Sequence, residues 1–170
     1  LTVKEVAATS IAFEASADTH TLFVGQSYTP AVVFTPDNTT NKEVVFSSSD
    51  ESVVFFDGAI CLANKEGTAT ITATSANGKT AKLAIVVEQI LPTAIQVATP
   101  SITRFLGDSH DLSYEVLPAD ATNNSISVQA RDEEVVAINE NTITGLALGE
   151  TTLLLTTHNG ITAEVLVSVV

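Results

Sequence analysis

Two stretches of this chain are near copies of one another. Residues 67–87 run from Gly67 through Thr-Ala-Thr-Ile-Thr-Ala-Thr to Asn77-Gly78 and on to Ile85-Val86-Val87; adding 82 lands on Gly149, Asn159-Gly160, Thr162-Ala163 and Val169. Both flanks alternate apolar and polar residues with a period of two, the pattern of half-buried strands. Asn-Gly between two such runs predicts a hairpin with a two-residue type I′ turn, in which both turn residues take positive φ. A period of this length divides the chain into two copies of one small β domain.

Read in order, the spacing predicts domain one over 9–88, a short linker over 89–92 and domain two over 93–170. Shifted by 84, Val3, Val6, Thr9, Ile11 and Phe13 fall on Val87, Ile90, Thr93, Ile95 and Val97. Residues 1–8 therefore read either as the tail strand of a preceding repeat or as an ordinary N-terminal strand. Together with the absence of an initiator Met, this suggests a fragment or a processed product.

Ile11 and Phe13 mark a first strand, and 27–35 reads as one longer run in which Pro30, Val32 and Phe34 share a face, matched by Leu112, Tyr114 and Val116. Pro30 cannot donate to a ladder, so an edge or a bulge is expected there. Val44 and Phe46 are the inward positions of the next strand, matched by Ile126 and Val128. Cys61 stands opposite Ile143, which predicts a buried, structural thiol. Regular short strands separated by turn signals indicate an antiparallel sandwich of about seven strands per copy. The linker spans under roughly 20 Å, so the two copies are expected end to end with restricted bending.

Composition narrows the function. The chain of 170 residues carries 20 acidic against 7 basic residues, a formal net charge of -13. That excludes nucleic acid as an expected partner, because its recognition needs clustered Lys and Arg, and it disfavours anionic membrane surfaces. No apolar stretch is long enough for a transmembrane helix, so direct membrane insertion is not expected. With no Trp, no Met and one Cys, the core is built from Val, Ile, Leu, Ala and a few Phe, without disulfide staples. Each copy is small, and roughly 4–12 kcal/mol of stability is expected for it.

Catalytic chemistry finds no constellation here. His20, His110 and His158 lie apart, with none at metal-ligand spacing from another His or Cys. No phosphate-binding Gly loop, nucleophile elbow or Cys/His pair is present. Asp50-Glu51 and Glu133-Glu134 are acid pairs on loops with no apolar pocket to separate their pKa values. Asp132, Glu133 and Glu134, with Asp120, offer loop carboxylates for a weak calcium site, although no Asp-x-Asp-x-Asp-Gly pattern accompanies them; no other cofactor is expected. Leu153, Leu155, Val165 and Val167 form the inward set of the last hairpin. That leaves Leu154 and Leu166 outside, where copy one has Thr72 and Ala84, and an apolar patch confined to one copy suggests a contact surface.

The succession Val24-Gly25-Gln26-Ser27, Thr35-Pro36-Asp37-Asn38-Thr39-Thr40-Asn41-Lys42, Val45-Phe46-Ser47-Ser48-Ser49-Asp50 and Gly67-Thr68-Ala69-Thr70-Ile71-Thr72-Ala73-Thr74 closely resembles the bacterial immunoglobulin-like domain of group 2. Copy two keeps Leu106-Gly107, Pro118, Ala121-Thr122-Asn123, Asp132, Val135-Val136, Thr144-Gly145 and Gly149-Glu150-Thr151-Thr152. The family often places Trp where this chain has Phe46 and Val128, so the core plug is smaller here.

The resemblance implies an all-β fold of two tandem immunoglobulin-like sandwiches and no catalytic residues. It implies an extracellular or cell-surface module of a bacterial protein, acting as a spacer or as a protein or glycan interaction unit. The expected partners are other domains of the same protein and a host or cell-surface protein or glycan. The alternative, an accessory carbohydrate-binding part of a polysaccharide-processing or capture system, needs exposed aromatic platforms. Tyr28 and Tyr114 are the only tyrosines, and Tyr114 is expected to face inward.

Overall fold

A computed structural model describes residues 4–14 and 18–170. The chain divides into two compact units, 1–89 and 90–170. Val3, and with it the first three residues of the expected tail strand, lies outside the described residues.

Unit one contains β1 (Ser10–Phe13), β2 (Thr19–Phe23), β3 (Ser27–Tyr28), β4 (Val32–Thr35), β5 (Val44–Ser48), β6 (Val54–Asp57), β7 (Ile60–Ala63), β8 (Gly67–Ser75) and β9 (Thr80–Glu88). A four-stranded sheet runs β2-β9-β8-β5, a three-stranded sheet β3-β7-β6, and β1 pairs with β4. Its core draws on both larger sheets: Leu22, Ile71, Leu83 and Ile85 from one meet Val54, Cys61 and Ala63 from the other.

Unit two repeats this with β10 (Ala94–Val97), β11 (Ser101–Arg104), β12 (Ser109–Asp111), β13 (Tyr114–Leu117), β14 (Ile126–Ala130), β15 (Val136–Asn139), β16 (Thr142–Gly145), β17 (Gly149–Thr157) and β18 (Thr162–Val169). The sheets are β11-β18-β17-β14, β12-β16-β15 and β10-β13. Leu153, Leu155, Val165 and Val167 are at most 1% exposed at the centre of its core.

The seven expected runs become nine segments because two of them change sheets. The first run pairs antiparallel with β4 as β1, then crosses and pairs parallel with β9 as β2. The run expected over 27–35 breaks at buried Pro30 into β3, on β7, and β4, on β1. The same division occurs in unit two, with buried Leu112 at the break. Each sandwich is therefore antiparallel except for one parallel pair, β2 with β9 and β11 with β18.

The closing hairpins differ from expectation at their tips. Asn77 does not take positive φ; Gly78 does, at 80°. Gly78 N–H donates to the Ser75 carbonyl at 2.9 Å and Ser75 N–H to the Lys79 carbonyl at 2.8 Å, leaving a three-residue loop with Gly78 in the left-handed position. This is the hairpin with a G1 bulge rather than the two-residue type I′ form. Gly160, at 87°, repeats it over Thr157 and Ile161.

The side chain of Asn77 explains the change. Its Oδ1 accepts from Ser75 Oγ at 2.8 Å while its Nδ2 donates to the Ala8 carbonyl at 2.7 Å. Asn159 does the same between Thr157 Oγ1 and the Pro92 carbonyl, at 2.7 and 2.8 Å.

These asparagines fasten the start of each unit. Val6 and Thr40 exchange hydrogen bonds at 2.9 Å, and Ile90 and Thr122 do so at 2.9 and 2.8 Å. Residues 90–92, which the sequence reading places in the linker, are thereby tied into unit two, with Pro92 fully buried.

Candidate functional site

The outer face of the closing hairpin in unit two is the first candidate surface. Register pairs Leu154 with Glu164 and with Gln129, and pairs Leu166 with Thr152 and with Ser101. The two leucines thus stand on a diagonal, half-buried Leu154 against Leu166 at 41% exposure, within reach of each other. Polar neighbours hem them in, among them the Arg131–Glu164 ion pair at 2.6 Å. In unit one the corresponding face carries Thr68, Thr70, Thr72 and Thr74, with Lys82 opposite Thr72 and Ala84 opposite Thr70.

In each acidic loop one aspartate closes a local turn. Asp50 Oδ1 accepts from the backbone N–H and the hydroxyl of Ser52, at 2.9 and 2.6 Å, and these hydrogen bonds hold its carboxyl below the usual carboxylate range. Asp132 Oδ1 accepts from the Glu134 N–H at 2.9 Å in the same way. Asp132, Glu133 and Glu134 do not converge: among the described residues no group of three or more His, Cys, Asp and Glu side chains is placed to hold a metal ion.

Cys61 is fully buried and free, and burial pushes its thiol up to about 11. Tyr28 lies opposite it on β3 and stacks on His20 with ring centroids 4.2 Å apart. Burial, then Cys61 and Glu14, raise the Tyr28 hydroxyl above its ordinary value. Tyr114 is half-buried against the core of unit two. Both tyrosines are therefore packed rather than presented as flat platforms. In unit two His110 instead meets Arg104, with Nδ1 and Nη2 2.6 Å apart.

A second surface was not singled out by sequence reasoning. Between the edge strands β14 and β15 a groove of about 600 Å³ opens, with Val128, Val136 and Ile138 in its floor and Glu133 and Glu140 at its rim. The signal that could have found it lies in the repeat. Offset by 82, Phe46, Phe55 and Phe56 of unit one become Val128, Ala137 and Ile138.

Two facing β-sheets with a sheet-switching first strand define each unit as an immunoglobulin-like sandwich. Residues 7–86 match the family model of the bacterial Ig-like domain (group 2), so the first unit belongs to that family.

An Ig-like virion protein of Serratia phage KSP90 is 30% identical over 132 residues, which cover 75% of this chain and 51% of that protein. The chain spans about half the length of the curated relative it matches. Among solved structures, domains 4 and 5 of the S-layer protein SbsC align over 97% of this chain and 100% of theirs, at 15% identity and a TM-score of 0.46. The protocadherin GammaB4 extracellular domain aligns over 95% of this chain and 34% of its own length, at 15% identity and a TM-score of 0.39.

Proposed function

We propose that the chain is a non-catalytic, tension-bearing spacer of an extracellular structure, either a bacterial surface protein or a virion protein. One observation carries the reading. In each unit the first strand of the large sheet lies parallel to the last, Thr19–Phe23 against Ala84–Glu88 and Ser101–Arg104 against Leu166–Val169. A pull on the two ends of a unit drives these strands past each other along their length. All the ladder hydrogen bonds between them are then loaded together in shear rather than opened one at a time. Membership of the first unit in the bacterial Ig-like domain family and a relative described as a virion protein support the same placement. Partners are then other domains of the same protein, with a cell-surface protein or glycan at a distance.

The test is single-molecule stretching. Pulled through its termini, the chain should unfold in two events, each releasing about 250–300 Å of extended polypeptide. Moving one attachment point from the N-terminus to residue 150, which pairs with Ser168 at the open end of the hairpin, makes the pull peel β17 from β18, and the force for unit two should drop. Equal forces in both geometries would sink the tension-bearing reading.

Leu154 and Leu166 are the proposed lateral contact of this spacer. If they act so, concentration-dependent association in small-angle scattering should vanish when they are replaced by unit one's residues, Leu154→Thr with Leu166→Ala. Repeating the series with calcium tests the Asp132, Glu133 and Glu134 loop, and an unchanged profile is expected.

The accessory carbohydrate-binding reading is the weaker one, because Tyr28 and Tyr114 are both half-buried in packed positions.

A further inference from the structure

Unit one closes the open side of its sandwich with aromatic rings. Phe46 on β5 and Phe56 on β6 stack with centroids 5.2 Å apart and planes 12° apart, and Phe13 on β1 continues the row 6.4 Å from Phe46. At the corresponding places unit two has Val128, Ile138 and Val97, and exposed Ala137 takes the place of Phe55. Tyr114 restores ring volume beside Val97, where unit one pairs Val32 with Phe13. The Val128 and Ile138 end has no such substitute, and there the groove opens. Its volume of about 600 Å³ falls inside the range of about 300–1,000 Å³ typical of binding clefts.

Two further properties define what fits. Among the described residues β14 pairs only with β17 and β15 only with β16, so each strand turns a free edge towards the groove. Such edges offer backbone N–H and C=O groups to an added strand. The rim is acidic: Glu133 and Glu140 line it, and unit two contains no Lys. Glu140 takes a left-handed φ of 53° where unit one has Gly58 at 63°. A residue bearing a carboxylate thus stands at the groove mouth in a backbone conformation that glycine adopts more readily.

We propose that this groove is a docking site for an extended segment of a partner polypeptide, which inserts one aromatic side chain between Val128 and Ile138 and sets a lysine or arginine against Glu133 and Glu140. The aromatic pair of unit one is the internal template for the inserted ring. The free edges receive the backbone of the segment, and the acidic rim selects its charge. The inference goes beyond the spacer reading and does not depend on it.

The probe is a capped heptapeptide with one central phenylalanine, lysine two residues away on each side and threonine elsewhere, so that all three side chains share a face. It is titrated into the whole chain while methyl signals of Val128, Val136 and Ile138 are followed by NMR, with Val45 and Val54 of unit one as internal controls. Saturable shifts confined to the unit two methyls are expected. Affinity should fall at least tenfold when alanine replaces the peptide phenylalanine, and again when glutamate replaces its lysines.

Val128→Phe with Ile138→Phe installs unit one's plug and should abolish binding. Ala137→Phe, at an exposed rim position, should weaken it without touching the core, which guards against a folding defect in the double variant. Three results would overturn the proposal: no saturable shift at millimolar peptide, equal affinity without the aromatic ring, or unchanged binding in the plugged variants. Self-association of the chain through the same methyls would also overturn it, assigning the groove to a second copy.

Discussion

Gly67 and Gly149 occupy equivalent places at the start of the closing hairpins, with φ of 149° and 150°, a conformation that side-chain-bearing residues rarely adopt. They differ in their surroundings. A Cβ on Gly67 would stand 2.9 Å from Val53 Cγ2, whereas on Gly149 it would stand 3.4 Å from Val135 Cγ2. Gly67→Ala should therefore destabilise its unit by about 1–3 kcal/mol, and Gly149→Ala by less, since backbone strain is common to both and only the clash differs. Chemical denaturation of the two variants checks the order.

Cys61 gives a pH test at the same scale. Below the ordinary thiol range both folded and unfolded chains hold the proton, and the full stability is present. Above about 9 the unfolded chain releases its proton while the folded one, pushed up to about 11, keeps it, so stability declines as pH rises through this window. At about 1.4 kcal/mol per unit of pKa, wild type should lose about 1–2 kcal/mol between pH 8 and 10 that Cys61→Val does not. Urea unfolding at the two pH values reads the difference.

At the scale of elements, the asparagines of the hairpin tips act as fasteners between the two ends of each unit. Asn159→Ala removes the Nδ2 bond to the Pro92 carbonyl and the Oδ1 acceptor of Thr157. About 1–2 kcal/mol should be lost, and amide exchange should accelerate at Ile90, Leu91 and Thr93 before it does so in β17. Uniform exchange across the unit would contradict the fastening role.

These same elements show where the sequence was legible. Strict alternation over β8 and β17 announced both strands and their buried faces, because a period of two leaves one way to hide Ile71 or Leu153. The turn type was not legible, because Asn-Gly suits both a two-residue and a bulged three-residue loop. The choice rests on a carbonyl about 70 residues away, at Ala8 or Pro92. Division of the early runs between sheets was hidden for a similar reason. Pro30 signalled a break, yet Leu112 makes the same break with no local signal, so tertiary pairing decides it. The groove was half legible: both Phe46 and Val128 stand where the family often has Trp, which reads as a smaller plug in each copy. That the loss leaves an open cleft depends on Ala137 and Ile138 lying across from Val128, a juxtaposition of separate strands.

The molecule as a whole combines two separately built cores with an uneven distribution of charge. Each buried cluster draws its residues from one unit alone. Unit two has ten acidic against two basic residues, whereas unit one has ten against five. Self-repulsion among carboxylates opposes the compact state and is screened by salt, so the more lopsided unit gains more from added salt. Calorimetry should resolve two unfolding transitions, and raising sodium chloride from about 10 mM to about 500 mM, where the screening length drops below about 10 Å, should move the transition of unit two further upward. Gly67→Ala and Gly149→Ala assign the transitions, each lowering only its own. If both substitutions instead lower a single shared transition, the chain melts as one cooperative body, and a spacer of independently yielding units is the wrong description of it.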